Sequence, residues 1–228
     1  CSNDEELVQS NFPSDNIIRV TAGVNNAKTR GNEANGSLLD KEFLLTIVNK
    51  TADKYTYINK QFSKTAGEWK CSETLLWQNA KTPVDIAAFA PAQTVVFDNV
   101  YKSNAFQSFA YSVAADQRDG SANNDLLYYF KKDFNPGAEL VDKKLKLEFN
   151  HAFSMIDIVV TLGTQFNVPT IPSETPITEV TVEGTKLDAT VNVADAAGIV
   201  TVKESANATV IFATKGAFTS VNNDVKKS

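Results

Sequence analysis

Short stretches of alternating apolar and polar residues run along most of the chain, and this is the pattern of half-buried β-strands. The clearest stretch is residues 144–149, in which Leu145, Leu147 and Phe149 alternate with charged side chains. A continuous apolar run of strand length, residues 84–90, is bounded by prolines. Further strands are predicted at residues 17–20, 42–49, 55–58, 68–70, 74–77 and 125–130. The pattern therefore predicts an all-β fold.

One segment in the middle of the chain has a helical period instead. Phe106, Phe109, Ala110 and Val113 recur at intervals of three and four residues. This spacing places all four side chains on one face of a helix, so it predicts a short helix over residues 103–115.

The only histidine lies where the apolar alternation changes phase. His151 continues the inward set of Leu147 and Phe149, which predicts a hydrogen-bonded core histidine instead of a catalytic one. The apolar positions then shift by one residue, from Met155 to Ile156. Such a shift predicts either a β-bulge or a crossing from one sheet to another.

Three prolines within residues 167–178 mark the predicted seam between two parts of the chain. Beyond it, short strands with Gly-containing turns are predicted at residues 180–182, 187–193, 199–202 and 209–212, a pattern typical of a β-sandwich. The predicted domains are an N-terminal β-sandwich over residues 31–168 and a smaller or incomplete C-terminal β-domain over residues 169–228. A piece of roughly sixty residues is small for an independent sandwich. It therefore either shares its sheet with the first part or lacks strands.

The composition excludes several classes of function. The 228 residues carry 22 Lys and Arg against 27 Asp and Glu and no basic stripe interleaved with aromatic residues, so nucleic acid is excluded as a partner. No apolar run approaches the roughly 18 residues that cross a bilayer, so we expect any membrane attachment to come from lipid. No Gly-rich phosphate loop, Cys-x-x-Cys pair or His-Glu-x-x-His motif occurs. The sequence thus predicts no cofactor, no metal site and no enzymatic activity.

The chain begins with Cys1, which is followed by Ser, Asn, Asp, Glu and Glu. This opening resembles a bacterial lipoprotein after signal-peptide cleavage, in which the N-terminal cysteine carries the acyl chains that anchor the protein. The acidic run also resembles the signal that places lipoproteins of Bacteroidetes on the outer face of the outer membrane. We therefore expect lipidation of Cys1, palmitate included, and a surface-exposed location. The alternative is that Cys1 stands first by accident of where the sequence was delimited.

Five motifs resemble, in the same order, those of the fimbrillin family of Bacteroidetes, the subunits of type V pili and their relatives. They are Lys28-Thr29-Arg30-Gly31 after a short first strand, a Trp-containing segment that leads into residues 84–91, the turn at residues 124–127, residues 147–156 and residues 177–184. The order of the motifs behind an N-terminal cysteine carries the resemblance. It spans the chain from Cys1 to roughly Val202.

The resemblance implies a pilus subunit, or an anchor or tip component, built from transthyretin-like β-sandwiches. In this family a trypsin-like, Arg-specific protease removes the lipidated first strand, and a strand donated by another subunit fills the groove that is left. Carried over to this chain, the cut falls between Arg30 and Gly31. Residues 1–30 are then the lipidated leader, with residues 17–20 in the removable strand.

Arg30 has a plainer interpretation as an ordinary solvated arginine in a loop. Arg19 is a poorer candidate for the cut, because it lies in the predicted strand, where a protease cannot easily bind a backbone that is already paired.

A second hypothesis for the function is a monomeric surface lipoprotein that binds glycan or another extracellular ligand. The side chains that could stack on a sugar are Trp69, Trp77, Tyr128 and Tyr129. This hypothesis requires that they be exposed and coplanar, since buried aromatic residues are simply core. Enzymatic activity is a third hypothesis, and no motif in the residues supports it.

Overall fold

Short β-strands make up most of the part of the chain that can be described in the computed structural model. The described residues are 11–24, 42–92, 100–116, 125–153, 158–160, 179–193, 200–202, 206–214 and 225–227. Within them, helical structure is limited to a single turn of α-helix, α1 (Pro136–Glu139), and a 3-10 turn (Asp53–Tyr55). The all-β prediction is confirmed, and the transthyretin-like topology stays a prediction.

The chain folds as two compact units that interleave in sequence. Unit 1 takes its described residues from Cys1–Asn26, Ala34–Gln107 and Leu127–Asn150. Unit 2 takes its described residues from Ala27–Glu33, Ser108–Leu126 and His151–Ser228. The predicted seam at residues 167–178 lies outside the described residues, so the boundaries of the predicted domains stay predictions.

Unit 1 contains a seven-stranded sheet. Its strands are β1 (Val20–Val24), β2 (Phe43–Asn49), β3 (Tyr57–Thr65), β4 (Glu68–Cys71), β5 (Val84–Ala90), β9 (Leu127–Phe134) and β10 (Leu145–His151). They lie in the order β1-β10-β9-β5-β2-β3-β4. The ladders from β9 through β5, β2 and β3 to β4 are antiparallel, whereas β1 pairs parallel to β10. A two-stranded hairpin, β6 (Tyr101–Lys102) and β7 (Ala105–Phe106), belongs to the same unit.

One face of this sheet encloses the core of unit 1, and Phe43 lies among its aromatic rings. The Phe43 ring stacks on Phe62 with centroids 5.3 Å apart, and it meets Trp69 and Phe149 edge-on at 4.9 and 5.5 Å. Aliphatic side chains from β1, β2, β5, β9 and β10 surround this group, among them Val20, Leu45, Ile47, Val84, Ile86, Ala88, Ala90, Leu127, Leu145 and Leu147. Both faces of β2 and β5 are buried, which explains why their sequences are apolar without alternation.

A charged cluster closes one end of the central strands. The Asp85 carboxylate is 11% exposed and lies 3.0 Å from the Lys50 ammonium, which also contacts Asp133 at 2.8 Å. The ladder between β5 and β9 shifts register near Asp85, and the freed N–H of Asp133 donates to the Asp85 carboxylate at 2.8 Å. The hydrogen bond that the Lys50 ammonium donates to the Asp133 carboxylate raises the pKa of Lys50 despite the opposing effect of burial. The buried carboxylate is therefore paired, as its burial requires.

Unit 2 contains smaller sheets. Its strands are β8 (Phe109–Ser112), β11 (Ile158–Val160), β12 (Glu179–Thr185), β13 (Asp188–Val191), β14 (Val200–Val202), β15 (Ala208–Thr214) and β16 (Val225–Lys227). β13 lies between β14 and β8, β12 pairs with β15, and β11 pairs with β16. The C-terminal strands thus complete a sheet with β8, which precedes the Pro-rich segment in sequence. Among the C-terminal strands, β13 and β14 are the ones that share this sheet, and whether the C-terminal part as a whole shares its sheet with the first part stays a prediction.

The predicted helix over residues 103–115 is wrong. Ser103 and Asn104 have positive φ, at 53° and 60°, and form the two-residue turn between β6 and β7, while two further residues separate β7 from β8. The helical spacing arises because separate strands bury aromatic rings against different partners. Phe106 meets the ring of Phe130 edge-on, and Tyr111 on β8 stacks on Phe153.

The prediction of a core position for His151 is also wrong. Its side chain is 39% exposed, and Nδ1 lies 2.9 Å from Oδ2 of Asp125, so that only the predicted hydrogen bonding is confirmed. His151 is the last residue of β10, where the alternation of the buried face ends. The chain then leaves the seven-stranded sheet, because β11 pairs with β16 in a different sheet. The phase change itself, at Met155 and Ile156, lies outside the described residues, so the choice between a β-bulge and a crossing stays a prediction.

We expect Phe43→Ala to destabilise unit 1 by about 3–5 kcal/mol, because the truncation leaves a cavity among three aromatic rings. Both tryptophans of the chain lie in unit 1, so tryptophan fluorescence during urea unfolding reports on this unit. Ile58→Ala is the control, since Ile58 on β3 is 40% exposed and its truncation changes stability by only about 0.5 kcal/mol. Equal effects of the two substitutions would contradict the assigned core.

We expect Gly137→Ala to destabilise the same unit by about 1–3 kcal/mol, because an added Cβ would lie 2.5 Å from the carbonyl oxygen of Ala80. The approach is close because the Gly137 N–H donates to that carbonyl at 2.8 Å. Gly23→Ala is the matched control, since a Cβ there meets nothing within 4 Å. Thermal unfolding of both variants checks the difference, and a stable Gly137→Ala variant would show that the backbone can move apart.

Candidate functional site

The first strand occupies one edge of the seven-stranded sheet. β1 runs parallel to β10, and the register pairs Val20 with Leu145 and Val24 with Phe149. A parallel edge strand cannot be joined to its neighbour by a tight turn, so it is held by hydrogen bonds and side-chain packing. The connection from β1 to β2 runs through residues 25–42, which include Arg30 and Gly31.

The residues just before β1 are hydrogen-bonded to a second part of the unit. The N–H of Ile18 donates to the carbonyl of Leu75 at 2.9 Å, and the N–H of Trp77 donates to the carbonyl of Asn16 at 2.8 Å. Ile17 and Leu76 form an antiparallel bridge between these two bonds. Residues 16–18 therefore pair with residues 75–77, whereas residues 20–24 pair with β10.

The first segment, residues 12–24, also supplies part of the core. Ile18 and Val20 are only 6% and 5% exposed. Phe12, Ala22 and Val24 are partly buried and pack against the same cluster. Removal of the segment would expose the inward side chains of β10. It would also leave unpaired the N–H and C=O groups on the edge of β10 that faces β1. Such an edge is a template for another strand.

A cleft of about 520 Å³ lies between the first segment and β4. One wall consists of residues 17–22, and the other consists of residues 67–71 and 73–75. β1 lies against β4, yet the two strands are the first and the last in the order of the sheet. The sheet is therefore not closed by a ladder between β1 and β4. Phe62, Trp69 and Leu75 give the cleft an apolar floor, and Lys64, Glu68 and Lys144 are among the charged residues that line it.

An ion pair supports the turn that leads into β1. The Arg19 guanidinium donates two hydrogen bonds to the Asp15 carboxylate, at 3.0 and 2.6 Å. The same carboxylate accepts the N–H of Ile17 at 3.1 Å. These bonds, above all those from Arg19, lower the pKa of Asp15 to about 2. This pair was not predicted from the sequence, in which its only signal is a pair of opposite charges four residues apart.

The predicted site residues have different outcomes. Cys1, Arg30 and Gly31 lie outside the described residues, so lipidation and cleavage stay predictions. The removable strand, predicted at residues 17–20, has its ladder at Val20–Val24 instead, preceded by the bridge at Ile17.

The backbone of Arg19 is hydrogen-bonded, which agrees with the expectation that a protease would not easily cut there. Its carbonyl accepts the N–H of Leu145 at 2.8 Å, and its side chain is bound to Asp15.

The aromatic residues of the glycan hypothesis do not form an exposed platform. Trp77 is 2% exposed and stacks on Phe134, and Trp69 and Tyr129 pack against the core. Tyr128 is half-buried, and as the neighbour of Tyr129 on β9 it points to the opposite face of the sheet. The four side chains therefore cannot stack together on one sugar.

Other kinds of site find no support in the part of the chain that is described. Within these residues, no group of three or more His, Cys, Asp and Glu side chains could hold a metal ion. In the same residues, no helix is long and apolar enough to cross a membrane. Cys71, on β4, is a half-buried free thiol.

Comparison with solved structures shows a related fold. A candidate cell adhesion protein from Bacteroides uniformis ATCC 8492 superposes with a TM-score of 0.51 at 16% sequence identity, covering 90% of this chain and 73% of that chain. A candidate cell adhesion protein from Bacteroides ovatus ATCC 8483 gives a TM-score of 0.46 at 16% identity, covering 86% and 76%. A fimbrial protein from the same strain gives 0.40 at 14% identity, covering 86% of this chain and 41% of that chain. At 16% identity the first similarity supports the fold alone.

Sequence comparison identifies the family. Among curated proteins, none matches the chain. The model of one protein family, described as fimbrillin-like, matches residues 9–224, which is nearly the whole length. The chain therefore belongs to the fimbrillin-like family.

Proposed function

We propose that this protein is a subunit, or an anchor or tip component, of a cell-surface pilus, and that it assembles by proteolysis-triggered β-strand exchange. Membership of the fimbrillin-like family supports a pilus-related surface protein that associates with other pilus subunits. It also favours a structural role over an enzymatic one. The observation that carries the finer proposal is the position of β1, an edge strand whose side chains fill the core of unit 1.

Exchange is physically reasonable because β1 makes two kinds of interaction that another strand can reproduce. Its backbone pairs with β10 through a regular ladder, and its alternate side chains enter an apolar core. Neither interaction depends on a particular side-chain chemistry beyond apolar character and size. An extended segment from another subunit with apolar residues at alternate positions can therefore replace it by β-strand addition.

The proposed trigger is a cut between Arg30 and Gly31 by an Arg-specific protease. Arg30 follows β1 and precedes β2 in sequence, so one cut there separates the first segment covalently from the rest of unit 1. After the cut, only the hydrogen bonds and apolar contacts described above hold the segment. Exchange then requires no further covalent bond to break.

The same cut would separate the proposed membrane anchor from the subunit. Cys1 and β1 lie on the same side of Arg30 in the sequence. A diacylated or triacylated Cys1 would hold the uncut chain at the outer membrane, since two or more acyl chains anchor a protein stably. Processing therefore couples release from the membrane to exposure of the groove, and an uncut chain would remain as an anchor.

We expect an Arg-specific protease to release a fragment of residues 1–30 from the purified protein, detected by mass spectrometry after denaturation. Arg30→Lys should abolish this fragment, because such a protease does not cut after lysine. Arg19→Lys is the control and should leave the fragment unchanged in abundance, since the backbone at residue 19 is hydrogen-bonded. Cutting at Arg19 or Arg118 in place of Arg30 would contradict the proposed processing site.

We expect the cut protein, once residues 1–30 are removed, to bind a synthetic peptide of residues 12–24. A peptide with Val20→Asp should bind about 100-fold more weakly, because a buried position would receive an unpaired charge. A peptide with Thr21→Asp is the matched control, since Thr21 is exposed and points away from the core. Native mass spectrometry measures the occupancy. Equal binding of the two variant peptides would show that the groove does not select apolar residues.

A further inference from the structure

We infer that the first segment has two halves that are held unequally. The pairing of residues 16–18 with residues 75–77, named the clip, retains the segment after the chain is cut. Residues 12–19 are named the clipped half, and residues 20–24 the ladder half. Release then begins at Val24 and ends with the clipped half. This inference rests on the proposed function, and it adds a control step between cutting and exchange.

The clipped half is paired on two sides. Ile18 donates its N–H to Leu75, and Asn16 accepts the N–H of Trp77. On the other side, the carbonyl of Arg19 accepts the N–H of Leu145 at 2.8 Å. A strand that is bonded on both sides cannot leave unless both sets of bonds break.

The hydroxyl of Tyr57 holds the partner of the clipped half in position. It accepts the N–H of Leu76 at 3.0 Å and donates to the carbonyl of the same residue at 3.1 Å. In an extended chain, successive residues direct their N–H and C=O groups to opposite edges. Because Tyr57 takes both groups of Leu76 on one edge, Leu75 and Trp77 present theirs on the other edge, towards the clipped half.

The turn before the clipped half adds local support. The ring of Pro13 is buried, and its carbonyl accepts the N–H of Asn16 at 3.1 Å. Asp15 binds both the N–H of Ile17 and the guanidinium of Arg19. These bonds lie within the segment, so they keep it in the shape that fits residues 75–77.

The ladder half has fewer restraints. Within the described residues its ladder is with β10 on one side, whereas residues 16–19 are hydrogen-bonded on two sides. The cleft borders both halves, because its wall runs over residues 17–22. Val20 is buried, but Ala22 and Val24 are only half-buried, so less apolar surface is lost when this end detaches. The ladder half is also the end that a cut at Arg30 would free.

Together these contacts predict an order of events. After the cut, the ladder half detaches from β10 transiently while the clipped half stays bound. An incoming strand from another subunit pairs with β10 first at the position of Val24 and then displaces the ladder towards Val20. The clipped half leaves last. Subunits that are cut before a partner is present therefore keep their groove covered, which protects them from non-specific strand pairing.

Hydrogen exchange of the uncut protein tests the clip without any protease. We expect amides of residues 16–18 to exchange at least about tenfold more slowly than those of residues 22–24, since they have additional hydrogen-bonded neighbours. Tyr57→Phe should accelerate exchange at residues 16–18 by about tenfold, because two hydrogen bonds are lost. Equal protection of the two halves in the wild type would overturn the inference.

Tyr55→Phe is the matched control, because it also removes a tyrosine hydroxyl, two residues before Tyr57. The described contact of the Tyr55 ring is with the Lys54 ammonium. Its exchange at residues 16–18 should match the wild type. Asp15→Ala is the second variant should Tyr57→Phe fail to fold, because Asp15 is exposed and its bonds lie within the turn. Its effect is measured at the amide of Ile18, which donates to Leu75, because Asp15 accepts the N–H of Ile17 directly. If neither Tyr57→Phe nor Asp15→Ala accelerates this exchange, the role of the clip is overturned.

The rate of release after cutting at Arg30 separates this inference from the proposed function. We expect the fragment of residues 1–30 to stay bound to the cut wild-type protein in native mass spectrometry, and to leave about tenfold faster from Tyr57→Phe. Immediate loss from the cut wild type would overturn the clip but leave strand exchange intact. Failure of the protease to cut at Arg30, with residues 16–18 still the better protected, would overturn the processing site but support the clip.

Discussion

The pairing of the first strand with β10 is the interaction on which the rest of unit 1 depends. It completes one edge of a seven-stranded sheet, and its inward side chains close the core around Phe43 and Phe149. A strand at an edge has a ladder on one side, so what it contributes to the stability of the core comes largely from the burial of its apolar side chains. The unit therefore takes part of its core, including the buried Ile18 and Val20, from a segment that a single cut in the following residues would separate covalently.

This arrangement reconciles stability with assembly. Interior strands such as β2 and β5 are buried on both faces and bonded on both edges, which makes them permanent parts of the fold. In the first segment, Ile18 and Val20 are buried to a comparable extent. The backbone that follows them, however, has a ladder on one edge, with β10. Replacement by a similar strand would restore the same burial and the same ladder. The proposed exchange would then be nearly balanced in free energy, and its rate would depend on how firmly the old strand is held.

Sequence patterns predicted the interior of unit 1 well and its edges less well. The alternation in β10 and the continuous apolar runs of β2 and β5 reflect burial that any sheet of this kind imposes, so these strands were correctly placed. The helix predicted over residues 103–115 was wrong, because two separate strands happened to space their aromatic residues at a helical interval. His151 was misplaced because alternation does not reveal where a strand ends.

By itself the sequence determined the all-β fold, the five ordered motifs that resemble fimbrillins and the residues between β1 and β2 that contain Arg30. These follow from local periodicity and residue identity, which need no knowledge of distant contacts. Only the tertiary structure decided that β1 runs parallel to β10, that residues 16–18 pair with residues 75–77 and that Trp69 and Trp77 serve the core. Those features join residues far apart in sequence, and a periodic pattern states that a face is buried without stating which strand covers it.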